Sequence, residues 1–120
     1  MQIEVVSLSP SDNISDSAGV YKFIMPKEID YAVSREIWLV LKTLIDGGAK
    51  YLYADFKENE EIDSSGISML IRLANLIKDK RGKVAVANLS QKNQRLLTMV
   101  NFPESVSVFS SETDLLDSFR

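Results

Sequence analysis

The stretch that most constrains the fold is Val84-Ala85-Val86-Ala87, a nearly unbroken apolar run. A strand with apolar side chains on both sides must be covered on both faces, the condition of a central strand in a layered α/β sheet. Ahead of it, over 65–80, Ile67, Leu70, Ile71, Ala74 and Ile77 recur at helical spacing. Ahead of that, Tyr51-Leu52-Tyr53-Ala54-Asp55-Phe56 has the composition of a strand. Strand, helix and strand with short connections predict a parallel pair joined by a right-handed crossover.

The flanking segments extend this alternation. Residues 2–8 read as a strand, with Ile3 and Val5 on one face and Val6 and Leu8 on the other. The Ser- and Asp-rich segment 9–19 reads as a loop, and 20–25 as a second strand. No helix separates these two strands, so an antiparallel pair is expected. Pro26 ends the second strand, and 27–30 reads as a loop at its C-terminal end. A helix follows with Ser34 as its N-cap, Ile37, Trp38, Leu41, Leu44 and Ile45 as its apolar stripe, and Gly47-Gly48 as its stop. Beyond the central strand, Ser90 can cap a helix carrying Leu96, Leu97 and Val100, with Asn101 in the left-handed C-terminal position. Residues 106–109 read as a last strand, and Ser111-Glu112-Thr113-Asp114 resembles a capping box before Leu115, Leu116 and Phe119. The expected fold is a single α/β domain over 1–120, in the order β-β-α-β-α-β-α-β-α: a mixed sheet of about five strands with about four helices.

Composition removes several function classes. The chain of 120 residues carries 14 basic and 17 acidic residues, a net charge of −3, which lacks the basic footprint of a nucleic-acid binder. It has neither Cys nor His. Disulfides, thiolate chemistry, imidazole–metal sites and Ser-His or Cys-His pairs are therefore excluded. No phosphate loop of the type G-x-x-x-x-G-K-S/T occurs. Asp30 and Asp55 could form a paired carboxylate site, and Glu58, Glu60, Glu61 and Asp63 could hold Mg²⁺. A solvated acidic loop is the simpler reading, so no catalysis, metal or cofactor is expected. Met1-Gln2-Ile3-Glu4 is not a signal-peptide start and no apolar run approaches a membrane span, so a cytoplasmic protein without membrane insertion is expected.

The chemistry concentrates at Asp63-Ser64-Ser65-Gly66, on the turn that opens the central helix. Unpaired N–H groups and the positive end of the helix dipole favour a phosphate there, which makes Ser64 and Ser65 candidates for a phosphorylation switch. The same residue types also serve as plain N-caps. In parallel sheets partners meet the loops at the C-terminal ends of strands, and 28–30 and 55–65 both lie there.

Asp63-Ser64-Ser65-Gly66, entered from a strand and followed by an apolar helix, resembles the signature of STAS domains of the anti-sigma factor antagonist family. The resemblance extends from about residue 20 to about residue 119. Glu28-Ile29-Asp30 looks like the acidic end of that family's Gly-Glu-Leu-Asp loop, Asp55 like the polar residue closing its third strand, and Leu89-Ser90 with Arg95-Leu96-Leu97 like the region after its fourth. Asn101-Phe102 stands where the family often has Gly-Leu. The chain departs from the pattern at Lys27, where the family usually has Gly, and at Asn59 and Glu61, where antagonists often carry apolar residues. The resemblance implies a non-enzymatic partner-switching protein in transcription regulation. It would bind an anti-sigma factor that is also a serine kinase, with Ser64 as the phosphoacceptor. The implied partner-binding surface comprises Lys27, Glu28, Asp30, Asp63, Ser64, Ser65 and Gly66. A helical wheel adds Met69, Arg72 and Leu76 as an exposed flank of the central helix. An alternative is a STAS subunit of a larger signalling scaffold or lipid-transport complex that is never phosphorylated. A small enzyme or nucleotide-binding domain using the acidic loops is a third reading.

Overall fold

The apolar runs become a sheet and the periodic segments become its covering helices. A computed structural model describes residues 2–6, 20–99 and 106–118. Strands β1 (Gln2–Val6), β2 (Val20–Ile24) and β3 (Glu28–Ile29) lead into α1 (Tyr31–Asp46). Then come β4 (Tyr51–Asp55), β5 (Glu61–Ile62), α2 (Ser64–Asp79), β6 (Lys83–Ala87), α3 (Gln91–Met99), β7 (Val106–Phe109) and α4 (Glu112–Ser118). Five strands form the main sheet in the order β1-β2-β4-β6-β7, and β3 pairs with β5 in a separate two-stranded sheet. β1 runs antiparallel to β2, as expected from the sequence, and the β2·β4, β4·β6 and β6·β7 pairs are parallel.

Alternation along the strands assigns the two faces. Phe23, Leu52, Ala54, Val84, Val86 and Val106 form one buried cluster with Ile37, Leu41 and Ile45 of α1 and with Leu70, Leu73 and Ile77 of α2. Tyr53, Ala85 and Ala87 point the other way and meet Leu115 of α4. The run 84–87 is buried at every position, because it is covered on both faces as its composition demands.

Three local features differ from the sequence expectation. Asp30, not Ser34, caps α1: its carboxylate accepts the Val33 N–H at 2.9 Å and its carbonyl accepts the Ser34 N–H at 2.8 Å. The helix therefore starts one turn earlier, and Ser34 is a buried first-turn residue whose hydroxyl donates to the Tyr31 carbonyl. The segment 27–30 contains β3, whose two residues are too few to show a period in sequence. Helix α2 begins at Ser64, with Asp63 as its cap. The expected caps Ser90 and Ser111 are present, accepting the N–H groups of Asn93 and Asp114. The expected loop at 9–19, the helix end at Asn101 and the residues Val100, Phe102 and Phe119 lie outside the described residues.

Candidate functional site at the paired helix starts

Parallel strands place the N-termini of α1 and α2 side by side at one end of the sheet. The two-stranded sheet locks them together. Glu28 and Ile29 pair in register with Glu61 and Ile62, Glu60 and Glu61 donate their N–H groups to the Lys27 carbonyl, and Asp63 donates its own to the Ile29 carbonyl. The two loops singled out in the sequence are thus one continuous surface.

A buried amide holds this surface to the rest of the molecule. Asn59 is only 5% exposed; its Nδ2 donates to the carbonyls of Pro26 at 2.8 Å, Glu61 at 3.1 Å and Lys27 at 3.3 Å. Its Oδ1 accepts from Nδ2 of the fully buried Asn93 on α3 at 2.8 Å. Asn59 is therefore not an exposed polar departure but the clamp joining both loops to α3. Asp55 has a similar bracing role. It is buried, accepts from the Lys57 N–H at 2.9 Å and Asn88 Nδ2 at 3.0 Å, and lies 3.7 Å from Lys22 Nζ. Asn88 takes the left-handed backbone, φ 64°, that Asn tolerates. Asp30 and Asp55 are thus committed to separate tasks, a helix cap and a strand-end brace.

Gly66 sets how closely α2 approaches the small sheet. A Cβ at this position would lie 2.5 Å from Ile62 Cγ1 and 2.9 Å from Ile29 Cγ2. The motif glycine is thus needed for close approach, and it brings Ser64 down onto the surface made by 28–30 and 61–62.

The exposed Asp63 carboxylate folds back onto the helix it caps. Its Oδ1 accepts the N–H groups of Ser65 at 2.9 Å and Gly66 at 3.2 Å, so these two opening donors are already occupied. Ser64 is exposed, and its hydroxyl has no hydrogen-bond partner among the described residues; Ser65 is half-buried. Beside Ser64 a groove of about 550 Å³ runs between α1 and α2, lined by Tyr31, Arg35 and Trp38 from α1 and by Ser68, Met69 and Arg72 from α2. Arg72 is exposed and stacks on Trp38, with its guanidinium carbon 4.2 Å from the ring centroid.

The expected exposed flank of α2 needs correction. Met69 is 4% exposed and belongs to the core cluster, forming the floor of the groove; Leu76 is half-buried against the same cluster. Leu73, absent from the wheel's stripe, is fully buried. The wheel placed the core on one side of α2, but the helix is covered by the sheet and also by α1. That second cover is invisible in the periodicity of α2 alone. Of the three flank residues, Arg72 remains at the surface.

The acidic residues near the motif are dispersed. Glu60 pairs with Lys27 at 3.4 Å and Glu61 with Lys92 at 3.9 Å, all exposed. Among the described residues no group of three Asp, Glu, His or Cys is placed to hold a metal ion, and no helix is long and apolar enough to cross a membrane.

The STAS domain family profile matches residues 10–115. The chain belongs to the STAS domain family. Solved structures agree at the level of fold. The anti-sigma factor antagonist SpoIIAA of Bacillus superposes in its unphosphorylated form with a TM-score of 0.73 at 17% identity, covering 98% of this chain and 94% of that one. Its phosphorylated form gives 0.74 at 18%, covering 99% and 98%. The Thermotoga maritima protein TM1081 gives 0.76 at 17%, covering 84% and 87%. The murine anion transporter Slc26a9 gives 0.64 at 18%, covering 83% of this chain and 18% of that one. No curated protein matches the sequence. The mixed sheet and the helices of this STAS domain match the SpoIIAA-like fold. Sequence reasoning missed Tyr31, Arg35 and Trp38 as groove residues, since nothing in α1 signals which neighbour its first turns will face. It also missed the burial of Asn59, for which the one available signal was its position between two loops that have to meet.

Proposed function

We propose that this STAS domain is a cytoplasmic partner-switching regulator that works by binding rather than catalysis. Unphosphorylated, it engages an anti-sigma factor that is also a serine kinase; phosphate on Ser64 ends that binding. The observation that carries this reading is the state of Ser64: exposed, unpartnered among the described residues, and set at the rim of the groove between α1 and α2. A hydroxyl that caps nothing is available for modification at little cost to the fold. The docking surface is built from Lys27, Glu28 and Asp30 on one loop, Ser64 and Ser65 on the other, and Arg72 on the groove wall. Asp63 lies on the same surface and caps α2, while Gly66, Met69 and Leu76 support that surface from beneath.

The test is to purify the protein from its native cells, identify bound proteins, and incubate it with the recovered kinase and ATP. Peptide mapping should find phosphate on Ser64 and none in Ser64→Ala. Phosphate on Ser65, or phosphate surviving in Ser64→Ala, overturns the assignment. Stable co-purification with a membrane transporter, with no modification at all, favours the reading as a subunit of a larger assembly.

A further inference from the structure

The Ser64 phosphate of this proposed switch needs a receptor, and the obvious one is taken. The N–H groups of Ser65 and Gly66 already donate to Asp63 Oδ1, and the Ile67 N–H donates to the Asp63 carbonyl at 3.2 Å. A phosphate on Ser64 therefore finds three of the four N–H groups that open α2 occupied, with the Ser64 N–H alone lacking an acceptor among the described residues, and a carboxylate beside it. It must look outward, across the groove. There stands Arg35, exposed on the first turns of α1, with no carboxylate paired to it among the described residues. Arg72 also faces the groove, but it lies eight residues along α2 from Ser64, about 12 Å of helix rise, and its guanidinium is stacked on Trp38. Arg35 lies one turn into α1, and the two helices start side by side.

We infer that Arg35 is the phosphate receptor of the switch: phosphorylated Ser64 forms a charge-assisted pair with the Arg35 guanidinium across the α1–α2 groove, closing its mouth. This inference rests on the phosphorylation reading above. A guanidinium offers several donors in a fork suited to phosphate, so one arginine can hold two phosphate oxygens. Closing the groove with the protein's own phosphate removes from the surface both the cation and the cleft that an unphosphorylated partner would meet. The change at Ser64 thus becomes a change in shape and charge of the docking face without any movement of the core.

The experiment uses the full chain with phosphoserine incorporated at position 64 during translation, which needs no kinase. Phosphorus NMR then follows the second ionisation of the phosphate, ordinarily near pH 6. Asp63 and Asp30 at the two helix caps, and Glu60 and Glu61 on the adjoining loop, all raise that value. Lys27 and Lys92 lower it, and Arg72, about 12 Å of helix rise away and stacked on Trp38, contributes little. These groups are common to wild type and Arg35→Gln, so the difference between the two reports Arg35. The midpoint in Arg35→Gln should lie higher than in wild type by at least about half a pH unit, Arg35→Lys should fall between them, and Arg72→Gln should stay close to wild type. A second measurement needs no variant: the Arg35 Nε–H resonance of the phosphorylated wild type should move as the phosphate ionises. Equal midpoints in wild type and Arg35→Gln, or an Arg35 Nε–H that stays fixed through the titration, overturn the inference. The outcomes separate cleanly. A Ser64 never modified in native cells removes the switch and leaves the measured pairing intact; equal midpoints remove the pairing and leave the switch.

Discussion

Gly66 is the residue at which motif and fold are most tightly bound together. Helix propensity favours replacing it, since Ala in place of a helical Gly is worth up to about 1 kcal/mol. The geometry opposes the change more strongly, because the new Cβ would sit 2.5 Å from Ile62 Cγ1, close to that side chain's branch point rather than at its free end. Overpacking of this kind costs about 1–3 kcal/mol, so Gly66→Ala should lower the urea midpoint despite its better propensity. A midpoint at or above wild type would mean that β5 yields easily and that the glycine answers to some need other than close approach. Ser64 is the contrasting case. Its hydroxyl has no partner among the described residues, so the residue is free to serve chemistry while its neighbours hold the helix start.

At the scale of elements, the small sheet β3·β5 and helix α3 depend on one amide. Asn59→Ala removes donors from the carbonyls of Pro26, Lys27 and Glu61 and the acceptor of Asn93. Buried groups left unpaired cost about 1–3 kcal/mol, so this variant should lose stability of that order. Its amides at 27–30 and 60–63 should exchange with solvent faster than those of the main sheet. Uniform exchange rates across the chain would show that the loops do not hang on Asn59. The α1–α2 contact gives a second expectation. Met69 is 4% exposed between the two helices, so Met69→Lys, which puts a charge into the core, should unfold or strongly destabilise the protein. A well-folded Met69→Lys would return Met69 to the surface that the helical wheel suggested. Main elements were legible in the sequence because apolar periods of 2 and 3.6 reflect burial by the sheet. What was hidden was the identity of second neighbours. Met69 reads as a flank residue until α1 is laid against it, and Asn59 reads as loop polarity until the two loops converge on it. Ser34 reads as the cap in the sequence, but Asp30 takes that place by accepting the Val33 N–H, and Ser34 is buried in the first turn.

At the scale of the whole molecule, the sheet separates two chemistries. One face, under α1 and α2, carries the apolar core and supports the motif. The other, under α4, buries Tyr53 completely and leaves its hydroxyl without a partner among the described residues, with Lys22 Nζ 5.5 Å from the ring centroid. Burial first, then the negative charges of Asp55 and Glu112, push the Tyr53 phenol well above the usual tyrosine range. Its folded value is therefore raised above its unfolded one. The stabilising contribution is fully present below about pH 10, where the phenol is neutral in both states, and is lost as pH rises further, because the unfolded chain releases the proton and the folded chain retains it. Tyr53→Phe takes away both this linkage and a buried hydroxyl that nothing satisfies among the described residues. Near neutral pH the variant should melt at or above the wild-type temperature, since losing an unpaired buried polar group costs nothing in hydrogen bonding. Between about pH 8 and about pH 11 its advantage should widen, because the other tyrosines and lysines titrate alike in both proteins and cancel in the difference. The measurement is a set of paired thermal melts across that range. A constant gap would mean that the Tyr53 phenol ionises as easily in the folded protein as in the unfolded chain. A lower neutral-pH melting temperature for Tyr53→Phe would mean that the hydroxyl is satisfied after all, and that the face under α4 holds a polar contact supporting the sheet from behind.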